Sequence, residues 1–599
     1  MPTRCTMAAG VRLAPVLVAL VGSVFITACG GGGMGGANAV GPSFVSTPGT
    51  VAAEGVTYTY QIETSPASVT LALVTAPSGA SLSGNTLTWI PSAAESRVPN
   101  QFSVTTANAA ATTTQSWTVT PSGTITGSWI ETYWTSTGPI QVPFKWATGL
   151  PPTALVLQPD ASFQTVRGSG NADGTFSIPN VPAGYYWFAP TPVVRYWTSS
   201  STIDLGIDFN GGLPPGTTAS ASTTTFDFNL SGLDPLQVGD EVAFLPDDPL
   251  VLQTVFSASS PADAITLSVG TAINSNIDFS QIRSGFLLQY EPVPGAELSI
   301  SALGAEATLS NLTLNNGVVN TIPATLAHSP RTAFDLNVKG TGWTSLFSNA
   351  APTQVSFEGS DLSLIAEPYL NGAQFVPSFG VGIPLLTNPQ ELAPGFCAVP
   401  GPSPSELVPG PCQPPITTDQ DFGLIQYGDP FPSAWPRVFR FSQTASVQLP
   451  LQGSTSTFPF ALTDSESTVV PSSPISPLIA QVQNPTINGS SLFAAATVPA
   501  AGITLNWTAP GGTTPTGYKI ALLVEGATPL NGSLAYLRAG TFYTAKTSVP
   551  LPPLQAGKTY VFVITVILDG AANFETRPNH SALPTASASI VSAPITMNP

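Results

Sequence analysis

Proline and glycine punctuate this chain from end to end, with 61 Pro and 54 Gly in 599 residues. Proline removes a backbone donor and clashes with the preceding helical turn, and glycine weakens helix interiors, so long helices do not survive such spacing. Short apolar runs of strand length lie between the breaks, which predicts an all-β chain. One hydrophobic core cannot serve this length, so the expected fold is a multidomain chain of β-sandwiches. Charged residues are only 8%, against roughly a quarter in ordinary soluble domains. Apolar residues reach 42%, enough to build cores. The net charge is −17 with 16 Lys plus Arg and no basic run, which argues against nucleic-acid binding.

The first residues read as an address. Arg4 and Arg12 supply positive charge, and Leu13 to Ile26 is an apolar stretch of about fourteen residues. That is short of the roughly twenty needed to span a bilayer as a helix. The stretch ends in Ile26-Thr27-Ala28-Cys29, an aliphatic residue and two small ones before a cysteine. This resembles the lipobox of bacterial lipoproteins. The resemblance implies a signal peptide over 1–28, lipidation of Cys29, and a membrane as partner through that lipid. Residues 29–41 then form a Gly-rich tether, Gly30 to Gly36 being almost all glycine. With Gly30 after the cysteine, the resemblance implies an exported protein at the outer membrane, facing the periplasm or the cell surface.

Residues 42–121 alternate at Val56, Tyr58, Tyr60 and Ile62, as a half-buried strand does. Glu54-Gly55, Ala76-Pro77-Ser78-Gly79, Leu87-Thr88-Trp89-Ile90-Pro91 and Trp117-Thr118-Val119 complete a pattern that resembles bacterial Ig-like, cadherin-like modules. Trp89 is expected in the core. Within residues 122–212, Asn171-Ala172-Asp173-Gly174-Thr175-Phe176-Ser177-Ile178 leads to Pro182-Ala183-Gly184-Tyr185-Tyr186. Asp173-Gly174 suits a tight hairpin, with Phe176 and Ile178 inward. The text resembles carboxypeptidase regulatory-like, transthyretin-like domains, which are accessory modules. Residues 475–599 carry Thr504-Leu505-Asn506-Trp507, Gly517-Tyr518-Lys519-Ile520 and Gly557-Lys558-Thr559-Tyr560, and resemble a fibronectin type III domain with its tyrosine corner. Residues 213–474 match no pattern and read as one or two further sandwiches. Within them Cys397 and Cys412 are expected to form a disulfide, whose loop of about fifteen residues would contribute about 3 kcal/mol.

Catalytic residues are scarce. The two histidines, His328 and His580, fall in different units, and neither a G-x-S-x-G elbow nor an H-E-x-x-H motif occurs. His328 reads as a loop residue and His580 as a surface residue. No metal and no cofactor is expected, and the chain is read as non-catalytic. The alternative is a surface enzyme acting on polysaccharide through a carboxylate pair of the central region, where Asp240, Glu241, Asp247, Asp248, Glu358, Asp361, Glu367, Asp419, Asp421 and Asp429 lie.

Aromatics give the sharper clue, since five of the ten tryptophans fall in residues 122–212. In Tyr185-Tyr186-Trp187-Phe188 alternate side chains face opposite sides of a sheet. The resemblance places Tyr186 and Phe188 inside, so Tyr185 and Trp187 are expected outward, either stacking on a ligand such as a sugar ring or covered by a neighbouring domain. The expected task is adhesion, glycan binding or interaction with an envelope protein.

Overall fold

The computed structural model describes residues 40–599, apart from 136–137, 148, 211–217, 247–252, 262–265, 294–299, 348–349, 369–382, 388–397, 401–406, 410–414, 467–473 and 529–533. The chain is almost entirely β-strand, and the one α-helix among the described residues is Gly340–Phe347. In the first unit, Tyr58–Gln61, Thr86–Trp89 and Ser81–Ser83 form one sheet and Thr70–Thr75, Asn100–Ala107 and Thr112–Val119 another. Tyr58, Tyr60, Trp89, Phe102 and Trp117 fill the space between them, with Phe102 stacked on Trp117 at 5.2 Å. Burying each such side chain contributes roughly 1.5–3 kcal/mol. The expected alternation holds from Tyr58 onward, while Val56 sits before the strand and is exposed.

The second unit is a sandwich of two four-stranded layers. One contains Ser169–Gly170, Thr175–Val181, Gly123–Ser128 and Thr202–Asp204. The other runs Phe163–Arg167, Thr153–Leu157, Tyr186–Ala189 and Val194–Thr198. The hairpin turns at Asp173-Gly174 because Gly174 adopts φ +81°, which a side chain would resist. The Asp173 carboxylate holds the turn by accepting from the Thr175 amide at 3.0 Å and hydroxyl at 2.6 Å.

The central region contains two cores that share a sheet. Thr218–Ser231, Thr266–Ile277 and Val319–Thr325 pack over Gln253–Ser257, Glu241–Pro246, Ser284–Pro292 and Ser301–Ser310, enclosing Phe226, Phe228, Phe244 and Leu287. The neighbours of Leu287 along the strand, Phe286 and Leu288, face the opposite way and join a larger core that includes Phe334, Leu336 and Tyr427. Both faces of this antiparallel sheet are therefore buried, which explains why Phe286, Leu287 and Leu288 are consecutive apolar residues rather than alternating ones. Trp343 and Phe347 dock the short helix on the second core, Trp343 lying 4.8 Å from Phe441.

The spatial order of the units differs from their order in the chain. In the C-terminal unit, Gln483–Ile487, Thr504–Thr508 and Ser548–Pro550 form one sheet, and Leu534–Thr544, Gly517–Ala527, Thr559–Asp569 and Thr585–Val591 the other. Leu534–Thr544 pairs in parallel with Val194–Thr198 of the second unit, from Val194 opposite Thr541 to Trp197 opposite Thr544. At the far edge Thr585–Val591 pairs with Ser454–Glu466 of the central region. One continuous hydrogen-bonded sheet thus runs from the second unit, through the C-terminal unit, into the central region.

Candidate functional site

Tyr186 and Phe188 are buried in the core of the second unit, and Tyr185 and Trp187 point to the other face, as the period of a strand requires. That face is not open. Trp187 is 0% exposed. Its indole Nε1 donates to the Pro550 carbonyl at 2.7 Å, and its ring meets Phe542 edge-on at 5.2 Å. The expectation of a ligand-stacking Trp187 is corrected: the parallel pairing of Val194–Thr198 with Leu534–Thr544 draws the C-terminal unit across the indole. Of the two alternatives open in the sequence, burial against a neighbouring domain is the one observed.

Tyr185 is half-buried at the rim of this contact and stacks on Trp197 at 5.7 Å. Its hydroxyl donates to Glu575 Oε1 at 2.9 Å, and the Lys546 ammonium lies 5.0 Å from its ring centroid. Glu575 also accepts from the Ser199 hydroxyl at 3.2 Å, and its backbone carbonyl accepts from Thr198 at 2.8 Å. Both aromatics singled out in the sequence therefore belong to one interdomain contact.

The connection 570–584 supplies the polar half of that contact. Tyr196 donates to Asn579 at 3.0 Å, and Asn579 donates to the Leu205 carbonyl at 3.1 Å. His580 Nε2 is 2.8 Å from Asp204 Oδ2, with Arg577 3.7 Å from the same oxygen. His580 is thus not the surface residue expected: its side chain is 16% exposed, held between the two units. The hydrogen bond from His580 holds the Asp204 carboxyl below the usual carboxylate range against the opposing effect of burial. On its other side Leu583 packs against Ile365 and Val438 of the central region. Glu367, just past the strand Val355–Ala366, accepts from the Asn210 side-chain amide and lies 3.9 Å from Arg440. Burial pushes the Glu367 carboxyl up to about 7. Glu575, Asn579 and Phe542 had no signature in the sequence, because their partners lie hundreds of residues away.

The remaining candidates are dispersed. Cys29, Cys397 and Cys412 lie outside the described residues, although the short antiparallel pair Ala398–Pro400 and Leu407–Pro409 falls between the two latter cysteines. Asp247 and Asp248 also lie outside them. His328 occupies the two-residue strand Ala327–His328, with Nδ1 2.9 Å from Asp234. Asp429 holds Arg437 through both carboxylate oxygens, at 2.7 and 2.9 Å, and Asp419 pairs with Lys339 at 3.0 Å. Asp421 accepts from the Gly423 amide, Glu358 from Ser446, and Asp240 from the Gln237 amide. Burial pushes the Glu241 carboxyl up to about 7. Glu291 is raised by burial, with Arg331 opposing and nearby Asp234 adding to the rise, and it lines a cleft of about 440 Å³ with Arg331, Leu424 and Gln426. Among the described residues no group of three or more His, Cys, Asp or Glu is placed to hold a metal ion.

No protein-family model matches the sequence, and no curated protein matches it. Among solved structures the chain is similar to an I-band fragment from titin, with 12% identity and a TM-score of 0.13 over 48% of this chain and 98% of that one. It is also similar to a Streptococcal ancillary pilin, at 12% identity and a TM-score of 0.10 over 56% and 95% of the two chains. A third likeness is to trypsin-activated alpha-2-macroglobulin from Escherichia coli, at 10% identity and a TM-score of 0.11 over 83% and 32%. At such TM-scores these likenesses carry no argument about ligand or task.

Proposed function

We propose that the protein is a lipid-anchored envelope protein whose β-sandwich units form a rigid, non-catalytic scaffold, presenting a surface for adhesion, glycan binding or contact with another envelope protein. One observation carries this reading: the parallel pairing of Val194–Thr198 with Leu534–Thr544, sealed by the buried Trp187. Strand pairing and aromatic burial across a domain boundary resist the hinge motion that is the ordinary expectation for tandem domains. We read the first unit as Ig-like, the second as carboxypeptidase regulatory-like and the last as fibronectin type III. For the last, the support is Trp507 at 6% exposure and the Tyr560 hydroxyl 3.2 Å from the Gln555 amide, the geometry of a tyrosine corner. The Ile26-Thr27-Ala28-Cys29 motif supports placement at a membrane, and the test is direct. Cells fed radiolabelled palmitate should label the wild type and not the Cys29→Ala variant; an unlabelled wild type overturns the anchor. Limited proteolysis of the folded chain tests the scaffold, since release of a free 122–212 fragment would contradict it.

A second reading, a polysaccharide-acting enzyme, is favoured by the proximity of Asp234 and Glu291 beside a cleft. Release of reducing ends from polysaccharide, lost in Glu291→Gln, would establish it in place of the scaffold.

A further inference from the structure

We propose that a cleft beside the interdomain contact, lined by Arg167, Arg195, Thr153, Thr165 and Thr191, binds the carboxylate of an acidic sugar; this rests on the glycan-binding reading above. The cleft lies on the same sheet face as Trp187, because Thr153 pairs with both Arg167 and Ala189, and Leu155 pairs with Trp187. Its charge is unusual for this chain. Acidic residues outnumber Lys plus Arg by 33 to 16, and several cations elsewhere pair with acids: Arg331 with Glu291, Arg437 with Asp429, Lys339 with Asp419, Arg577 with Asp204. No Asp or Glu lines this cleft. Arg195 is partly buried, its guanidinium lies 5.2 Å from the Phe542 ring centroid, and its Nε is buried with no hydrogen-bond partner among the described residues. A desolvated guanidinium without a counter-ion is costly, and a planar carboxylate satisfies it with paired, charge-assisted hydrogen bonds. At about 220 Å³ the cleft is smaller than the roughly 300–1,000 Å³ of drug-sized sites, so it suits one small group rather than a whole oligosaccharide. Threonine hydroxyls beside the arginines provide the polar contacts a sugar needs, and Leu150 and Pro151 an apolar wall.

The test titrates the full chain with glucuronate, with glucose as the neutral control and inorganic phosphate as the simple anion, read by calorimetry at low salt. The expected result is saturable glucuronate binding, none of glucose, and at least a tenfold loss of affinity in both Arg195→Gln and Arg167→Gln, the latter at an exposed position. Absence of glucuronate binding, or affinity unchanged in Arg167→Gln, overturns the proposal. Phosphate binding as tightly as glucuronate overturns the assignment to a sugar carboxylate. Palmitate labelling is independent of this readout, so failure here is distinguishable from failure of the anchor.

Discussion

The indole of Trp187 hydrogen-bonds to the carbonyl of Pro550, 363 residues further along the chain, at 2.7 Å. Around this bond the second and C-terminal units share a sheet, a set of stacked aromatics and a polar rim.

Removing that indole should weaken the whole assembly. Trp187→Ala is expected to cost about 3–5 kcal/mol by opening a cavity at a fully buried position. Trp187→Phe keeps most of the volume and leaves the Pro550 carbonyl unpaired, for about 1–3 kcal/mol. Denaturant unfolding checks both, and hydrogen exchange should quicken at Thr541 to Thr544 in the alanine variant.

Acid should loosen the contact made by the 570–584 connection. Asp204 has a lowered carboxyl in the folded protein, so its stabilising effect is present above the ordinary carboxylate range and is lost as pH falls through the lower folded value. Its side chain is 42% exposed, so screening keeps the effect under about 1 kcal/mol. Asp204→Asn should flatten the decline in unfolding midpoint below about pH 4.

Glu367 has the opposite sign. Its folded value of about 7 lies above that of the unfolded chain, so the folded state holds the extra proton and stability falls as pH rises from about 4.5 to 7. Glu367→Gln, which retains an acceptor for Asn210, should remove that slope and raise stability at pH 8 by on the order of 2 kcal/mol. Unfolding midpoints measured across this range check it.

The first unit is tied to the second through Arg97, which donates to the Ser200 and Gly184 carbonyls at 3.0 and 2.9 Å and lies over the Tyr186 ring. Arg97→Ala should free the first unit while leaving its own core intact, at a cost of about 1–3 kcal/mol to docking. Small-angle scattering should show a longer maximum dimension, with the first unit's tryptophan emission unchanged.

Much of the local structure was legible in the sequence because it depends on near neighbours. The Asp173-Gly174 turn needs only a residue that tolerates positive φ and a carboxylate that reaches two residues on. The inward placement of Trp89 and Trp507 follows from apolar alternation in single strands. His580 was misread because its carboxylate partner lies 376 residues away, and a lone polar residue after a proline looks the same whether a domain covers it or water does.

The sequence alone determined that this chain is built of short strands in several sandwiches, and that Tyr186 and Phe188 face one way and Trp187 the other. Only the tertiary structure decided what covers Trp187. The hydrophobic effect is non-directional, so an apolar sheet face calls equally for a ligand or for another domain. The strand pairing that settled the matter joins backbone N–H and C=O groups, which almost every residue carries and no sequence pattern marks.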